Sequence, residues 1–172
     1  MNATTWAERR MVGAEARSFS SVAEAYLDDV YAYLVYLTGD RVVAEDLTGE
    51  TFEKALRRWR RFDSRRGDAR TWLCQIARST ALDHFRGERR RRRREKAVAV
   101  DERQEPRFAE GLSPELEAGL RSLSAAEREV VALRVVLDLD GESTARLLGI
   151  SETACSTRLS RALRKLEEMV KG

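Results

Sequence analysis

The chain has 172 residues, 35% of them charged and only 7% aromatic, a balance typical of surface-rich helical proteins and long enough for one ordinary domain or two small ones. Its two cysteines, Cys74 and Cys155, lie far apart without a second CxxC or a histidine partner, which argues against a disulfide framework and a structural zinc site. No stretch approaches the ~20 apolar residues of a membrane span and the first twenty residues lack the apolar segment of a signal peptide, so a cytoplasmic protein with no membrane insertion is expected.

Residues 1–19 match no interpretable pattern and are expected to form a disordered extension. Val22, Tyr26, Val30, Tyr33, Leu34 and Leu37 then recur at helical spacing and predict an amphipathic helix. Thr38-Gly39-Asp40 supplies a stop and a start, with Gly39 suited to C′ and Asp40 to the next N-cap. The helix from Arg41 to about Arg60 sets Val43, Leu47, Ala55 and Trp59 against the core. Its first half is acidic (Glu45, Asp46, Glu50) and its second basic (Lys54, Arg57, Arg58, Arg60), an order that complements the helix dipole. Asp63-Ser64-Arg65-Arg66-Gly67-Asp68 interrupts the pattern before a further helix from about Ala69 to Arg86, lined inside by Leu73, Ile76, Ala77 and Thr80. Gln75, Arg78, Ser79, Asp83 and Arg86 fall largely on its other faces and form a polar, partly basic surface. His84, the only histidine, lacks a metal-ligand or catalytic partner in sequence and reads as a surface or helix-end residue.

The net charge of +3 is unevenly distributed. Arg89 to Arg94 is an unbroken arginine run, either a phosphate-attracting patch or a solvated helix end or tail, while Asp101 to Glu117 leans acidic. Pro106, Gly111 and Pro114 fall in the same zone, so residues 88–113 read as a linker between helical modules at 20–87 and 114–172. In the second module Leu116, Leu120 and Leu123 close one helix, and Ser124 with Glu127 makes a capping box for the next, packed by Val130, Val131, Leu133, Val135 and Val136. Asp140 caps a short helix with Ala145 and Leu148 facing inward. Gly149 gives the turn, Ile150 plugs the core and Ser151 caps a last helix in which Cys155, Leu159, Ala162 and Leu166 are buried together. Glu152, Thr153, Ser156, Thr157, Arg158, Ser160, Arg161 and Arg164 are left pointing outward. This reads as a helix-turn-helix whose second helix has the size and chemistry for a major groove, a plain αα-hairpin of the core being the alternative. The expected fold is all-α, with two small helical domains joined by a flexible linker. No nucleophile–base pair, metal cluster or phosphate-cradling glycine loop is present, so neither enzymatic activity nor a cofactor is expected.

In this order, YLTGDRVVAEDLTGETFEKALRRW, FDSRRGDARTWLCQIARSTALDHFRGERRR and SLSAAEREVVALRVVLDLDGESTARLLGISETACSTRLSRALRKL resemble three segments of the extracytoplasmic-function (ECF) sigma factors, the smallest bacterial RNA polymerase sigma factors. The resemblance spans about residues 20 to 170 and implies a promoter-specificity subunit. Glu45, Asp46, Gly49 and Glu50 would dock on the β′ clamp helices of core RNA polymerase, which the factor would join along with the β subunit. Asp63, Ser64, Arg65, Arg66, Gly67 and Asp68 match the loop that captures a base flipped from the minus-10 element. Arg78, Ser79, Asp83 and Arg86 belong to the same minus-10 segment. Thr153, Ser156, Thr157, Arg158, Arg161 and Arg164 match the minus-35 reader, with Arg158 and Arg161 the first choices for DNA contacts and Arg164 for phosphate. The linker would thread toward the polymerase active-site and RNA-exit channels, a disordered linker being the simple alternative. An anti-sigma protein is a further candidate partner.

Three positions depart from the family: Gly49 stands where Gln is common, Ser79 where Asn is frequent and Ser156 where Lys is common. Trp72 invites a base-stacking role, but its spacing with Leu73 and Ile76 favours the core. Two other readings remain: a dimeric helix-turn-helix regulator on a near-palindromic operator, and a sigma-like module that sequesters polymerase without initiating.

Overall fold

Side chains that replace missing backbone partners set the helix starts. Ser18, Asp40, Asp68, Ser113, Ser124, Asp140 and Ser151 each accept from a backbone N–H of the first turn, at 2.8 to 3.3 Å. The computed structural model describes residues 18–95, 107–109 and 111–171, and the expectations for residues 1–17, 96–106, 110 and 172 lie outside them. Among the described residues there are seven α-helices and no strand: α1 (Phe19–Thr38), α2 (Arg41–Arg58), α3 (Ala69–Arg94), α4 (Pro114–Ser122), α5 (Ala125–Val131), α6 (Gly141–Leu148) and α7 (Glu152–Lys171).

Helices α1 to α3 pack on one another and form the first unit. Val22, Val30, Tyr33 and Leu34 of α1, Ala44, Leu47 and Ala55 of α2, and Leu73, Cys74, Ile76 and Ala77 of α3 are buried, as the periodicity requires. A buried ion pair, Arg70 Nε to Asp29 Oδ2 at 3.0 Å, ties the start of α3 to α1. Phe19, Phe52, Trp59, Phe62 and Trp72 form an aromatic cluster at the end of α2, with Trp59 and Phe62 stacked at 5.1 Å and Phe62 against Trp72 at 5.0 Å. Trp72 is therefore packed among rings, the core position its spacing favoured.

The second unit closes α7 against α4, α5 and α6. Ser124 and Glu127 complete the capping box, the Glu127 carboxylate accepting from Ser124 N at 2.8 Å. Beyond α5 the chain widens into a π turn over Ala132–Val136. That change of register leaves Val135 54% exposed, so one of the valines expected to pack α5 does not. Gly149 ends α6 at φ 67° and ψ 35°, the left-handed geometry of a helix-turn-helix corner.

The two units share a continuous core. Helix α1 packs against α5 and the π turn, and α3 touches α6. Phe108, from the segment between the units, is buried with its ring 5.8 Å from that of Tyr36, and Arg107 N donates to Gly39 O at 3.0 Å. Helix α3 is longer than the expected end at Arg86, because no Gly or Pro terminates it within the arginine run and residues 88–94 continue its last turns.

Candidate nucleic-acid and polymerase interface

Three exposed faces carry the candidate residues. On α2, Ala44, Leu47, Thr48, Thr51 and Ala55 turn inward, and the Thr48 and Thr51 hydroxyls donate to the carbonyls of Ala44 and Leu47, both at 2.7 Å. Glu45, Asp46, Gly49 and Glu50 are all exposed, at spacings of three and four that place them on one stripe. Glu50 is held at 2.7 Å by Lys54, whose Nζ also donates to Thr80 Oγ1 of α3 at 3.2 Å. A Cβ added at Gly49 would meet nothing within 4 Å, so packing does not demand glycine there. Val42, 69% exposed, and Leu56, 57% exposed, sit at the two ends of this stripe. They are large apolar side chains exposed on an otherwise acidic stripe. Sequence reading passed over both; the available signal was an apolar residue on the polar face at either end of the helix.

The second face joins the segment 59–68 to α3. Trp59–Arg61 and Ser64–Arg66 form two short 3₁₀ turns over the aromatic cluster. Asp63 caps the second, accepting from Arg65 N at 3.0 Å and Arg65 Nε at 3.1 Å, and these bonds hold its carboxyl below the usual range. Asp68 caps α3, accepting from Thr71 N at 2.8 Å and the Thr71 hydroxyl at 3.0 Å. Both aspartates thus shape the loop, while Ser64, Arg65 and Arg66 are exposed on it and Gly67 closes it. Along α3, Gln75, Ser79, Asp83 and Arg86 are exposed in one stripe that continues into Arg90 and Arg93. Arg86 donates to Asp83 at 3.2 Å. Arg78 lies apart from this stripe: half-buried, it donates through Nε to Glu129 Oε1 of α5 at 2.8 Å.

The third face is α7. Thr153, Ser156, Thr157, Arg161 and Arg164 are exposed and follow helical spacing, opposite buried Cys155, Ala162 and Leu166. Arg158 stands at the flank of this stripe, partly buried. Ser160 is exposed within it. At 20 residues α7 extends for about 30 Å, a rod that an approximately 12 Å wide major groove admits. Burial pushes the Cys74 thiol up to about 12 and raises that of Cys155, so both act as small core hydrophobes. Among the described residues no group of His, Cys, Asp and Glu could hold a metal ion, and no helix is long and apolar enough to cross a membrane. His84 is partly exposed and edges onto Phe85 at 5.9 Å.

Such an arrangement, two small helical units each turning a polar, arginine-bearing helix outward and one ending in a helix-turn-helix, defines an all-helical protein of the helix-turn-helix class. The family model for sigma-70 region 2 matches residues 22–91 and that for sigma-70 region 4 matches residues 113–166. The ECF RNA polymerase sigma factor BldN of Streptomyces coelicolor is 36% identical over 169 residues, covering 95% of this chain and 64% of BldN. SigC of Mycobacterium tuberculosis, also an ECF sigma factor, is 33% identical over 150 residues, covering 85% of this chain and 80% of SigC. The fold is shared with RpoE of Bartonella quintana, a sigma factor solved with the anti-sigma factor NepR, at a TM-score of 0.77 and 24% identity over 89% of this chain and 96% of RpoE. The chain belongs to the ECF sigma factors of the sigma-70 family, the subunits that bind core RNA polymerase and direct it to promoters.

Proposed function

We propose that α7 reads the minus-35 element, that α3 with residues 63–68 reads and helps melt the minus-10 element, and that the α2 stripe docks on the β′ clamp helices. The observation that supports this most is the exposure of Thr153, Ser156, Thr157, Arg161 and Arg164 along one face of the second helix of a helix-turn-helix. Arg161, with Arg158 at its flank, supplies bidentate donors for guanine edges, and Arg164 meets phosphate. In the first unit Ser64, Arg65 and Arg66 line the approach to an extruded base, with the exposed Ser79, Asp83 and Arg86 beside them. Glu45, Asp46 and Glu50 offer carboxylates to a basic partner surface, with Val42 and Leu56 as apolar anchors.

Under this reading residues 20–87 and 114–172 act as the two promoter-reading domains of a cytoplasmic, non-catalytic subunit, selective because one scaffold joins two weak modules. An anti-sigma protein is proposed as a further partner, in line with the solved complex of RpoE. Run-off transcription from fragmented genomic DNA, with core RNA polymerase in the presence and absence of the protein, tests the assignment. New start sites sharing two spaced upstream elements are expected. Binding to core polymerase with no new starts would instead favour sequestration.

A further inference from the structure

We propose that Glu129 is a latch that holds the two units together in the free protein and keeps Arg78 from DNA until they separate. This rests on the promoter-reading assignment above. Two helices converge on one carboxylate oxygen of a third: Tyr33 Oη of α1 and Arg78 Nε of α3 both donate to Glu129 Oε1 of α5, each at 2.8 Å. Glu129 is 7% exposed and Tyr33 fully buried. A carboxylate shut between two units needs partners that offset its lost hydration, and here both come from the opposite unit.

The closed arrangement cannot read a promoter. Elements centred near positions minus 35 and minus 10 lie roughly 25 base pairs apart, or about 85 Å at 3.4 Å per pair. In the closed chain α3, the minus-10 helix, touches α6 of the helix-turn-helix. Function therefore requires the units to part, and the chemistry of the contact suits parting. Glu129, Arg78 and the Tyr33 hydroxyl are all well hydrated once exposed, whereas an apolar residue at position 129 would resist opening. Opening frees the Arg78 guanidinium, on the helix that carries Ser79 and Arg86. DNA or polymerase that engages only the open form shifts the population toward it by differential affinity.

The test uses the full chain carrying a spectroscopic label pair at Arg57→Cys on α2 and Glu168→Cys on α7, both exposed and neither among the residues assigned above to DNA or polymerase, with Cys74 and Cys155 left buried. Tyr33→Phe removes one hydrogen bond with little change of shape, and Glu129→Gln removes the charge pairing. The unmodified sequence should give a short interdomain distance. The open-to-closed ratio should rise several-fold in Tyr33→Phe and about ten-fold or more in Glu129→Gln, with circular dichroism unchanged. An open distribution in the parent protein, or one that neither variant moves, would overturn the latch whatever the protein does at promoters. The second arm measures affinity for a mixed-sequence single-stranded DNA 20-mer. Glu129→Gln should bind about ten-fold more tightly, and adding Arg78→Ala should cancel the gain. Opening with no gain in binding would overturn the masking of Arg78 and remove that residue from the minus-10 surface, while the distance result would still stand.

Discussion

Helices α3 and α7 both carry arginines assigned to DNA, yet among the described residues the two of α3, Arg78 and Arg86, are held in ion pairs and those of α7 are not. On α3, Arg70 pairs with Asp29, Arg78 with Glu129, Arg86 with Asp83 and Arg91 with Glu88. On α7, among the described residues, Arg158, Arg161 and Arg164 enter no ion pair. Helix α3 is also the beam of its unit, buried along one side from Thr71 to Ala81, so its polar groups serve folding as well as recognition. A duplex reader can be preformed because a major groove presents itself without distortion. A reader of melted DNA gains from being masked, since basic groups that are already paired attract less non-specific duplex.

The two units differ most in how they depend on their ion pairs. Asp29→Ala leaves Arg70 without that carboxylate at 3.0 Å in a buried site, and the expected loss is about 3–5 kcal/mol in a urea titration. The ion pair that ties α7 to α5, Lys165 to Glu127 at 2.7 Å, has Lys165 half-exposed, and Lys165→Ala should cost no more than about 1 kcal/mol. Equal losses would mean that the second unit relies on its ion pair as the first does.

Arg161→Ala probes an arginine of α7 that folding does not use. Because Arg161 is exposed and enters no ion pair among the described residues, its removal should leave stability within about 0.5 kcal/mol while costing about 1–3 kcal/mol in promoter binding by the polymerase complex. Binding assays with single-base changes in the minus-35 element should show specificity relaxed at one position. A uniform loss across all sequences would reassign Arg161 to phosphate.

Much of α7 was legible because its signals are local. Ser151, the inward row of buried Cys155, Ala162 and Leu166 with partly buried Leu159, and the polar stripe opposite all lie within a few turns of one helix. The placement of Arg78 was not legible, since its partner lies 51 residues away and the Tyr33 hydroxyl reaches the same carboxylate across 96. No periodicity encodes such a contact. The acidic α2 stripe was visible, but Val42 and Leu56 were not singled out, because an apolar residue on a polar face departs from the very pattern used to define the face. Val135 was misplaced for a related reason: periodicity assumes α geometry, and the π turn shifts the register just where that valine falls.

The smallest effects compare the units through one glycine in each. At Gly119 of α4 an added Cβ would stand 3.0 Å from Leu166 Cδ2 and 3.5 Å from Met169 Cβ of α7, so in Gly119→Ala the Leu166 side chain must shift by a few tenths of an ångström, which offsets the gain in helix propensity, and the variant should be stabilised less than Gly49→Ala. Gly49 of α2 has open space around its Cβ position and helical backbone, so Gly49→Ala and Gly49→Gln should both stabilise, by up to about 1 kcal/mol. The two replacements then separate folding from docking. Each restores helix propensity, but only Gln places an amide in the middle of the stripe that Glu45, Asp46 and Glu50 define. In a titration against core RNA polymerase, Gly49→Gln should bind more tightly than Gly49→Ala although their melting temperatures agree. If the two bind alike, the centre of the stripe lies outside the polymerase contact, and docking falls to the ends of the helix, where Val42 and Leu56 are exposed.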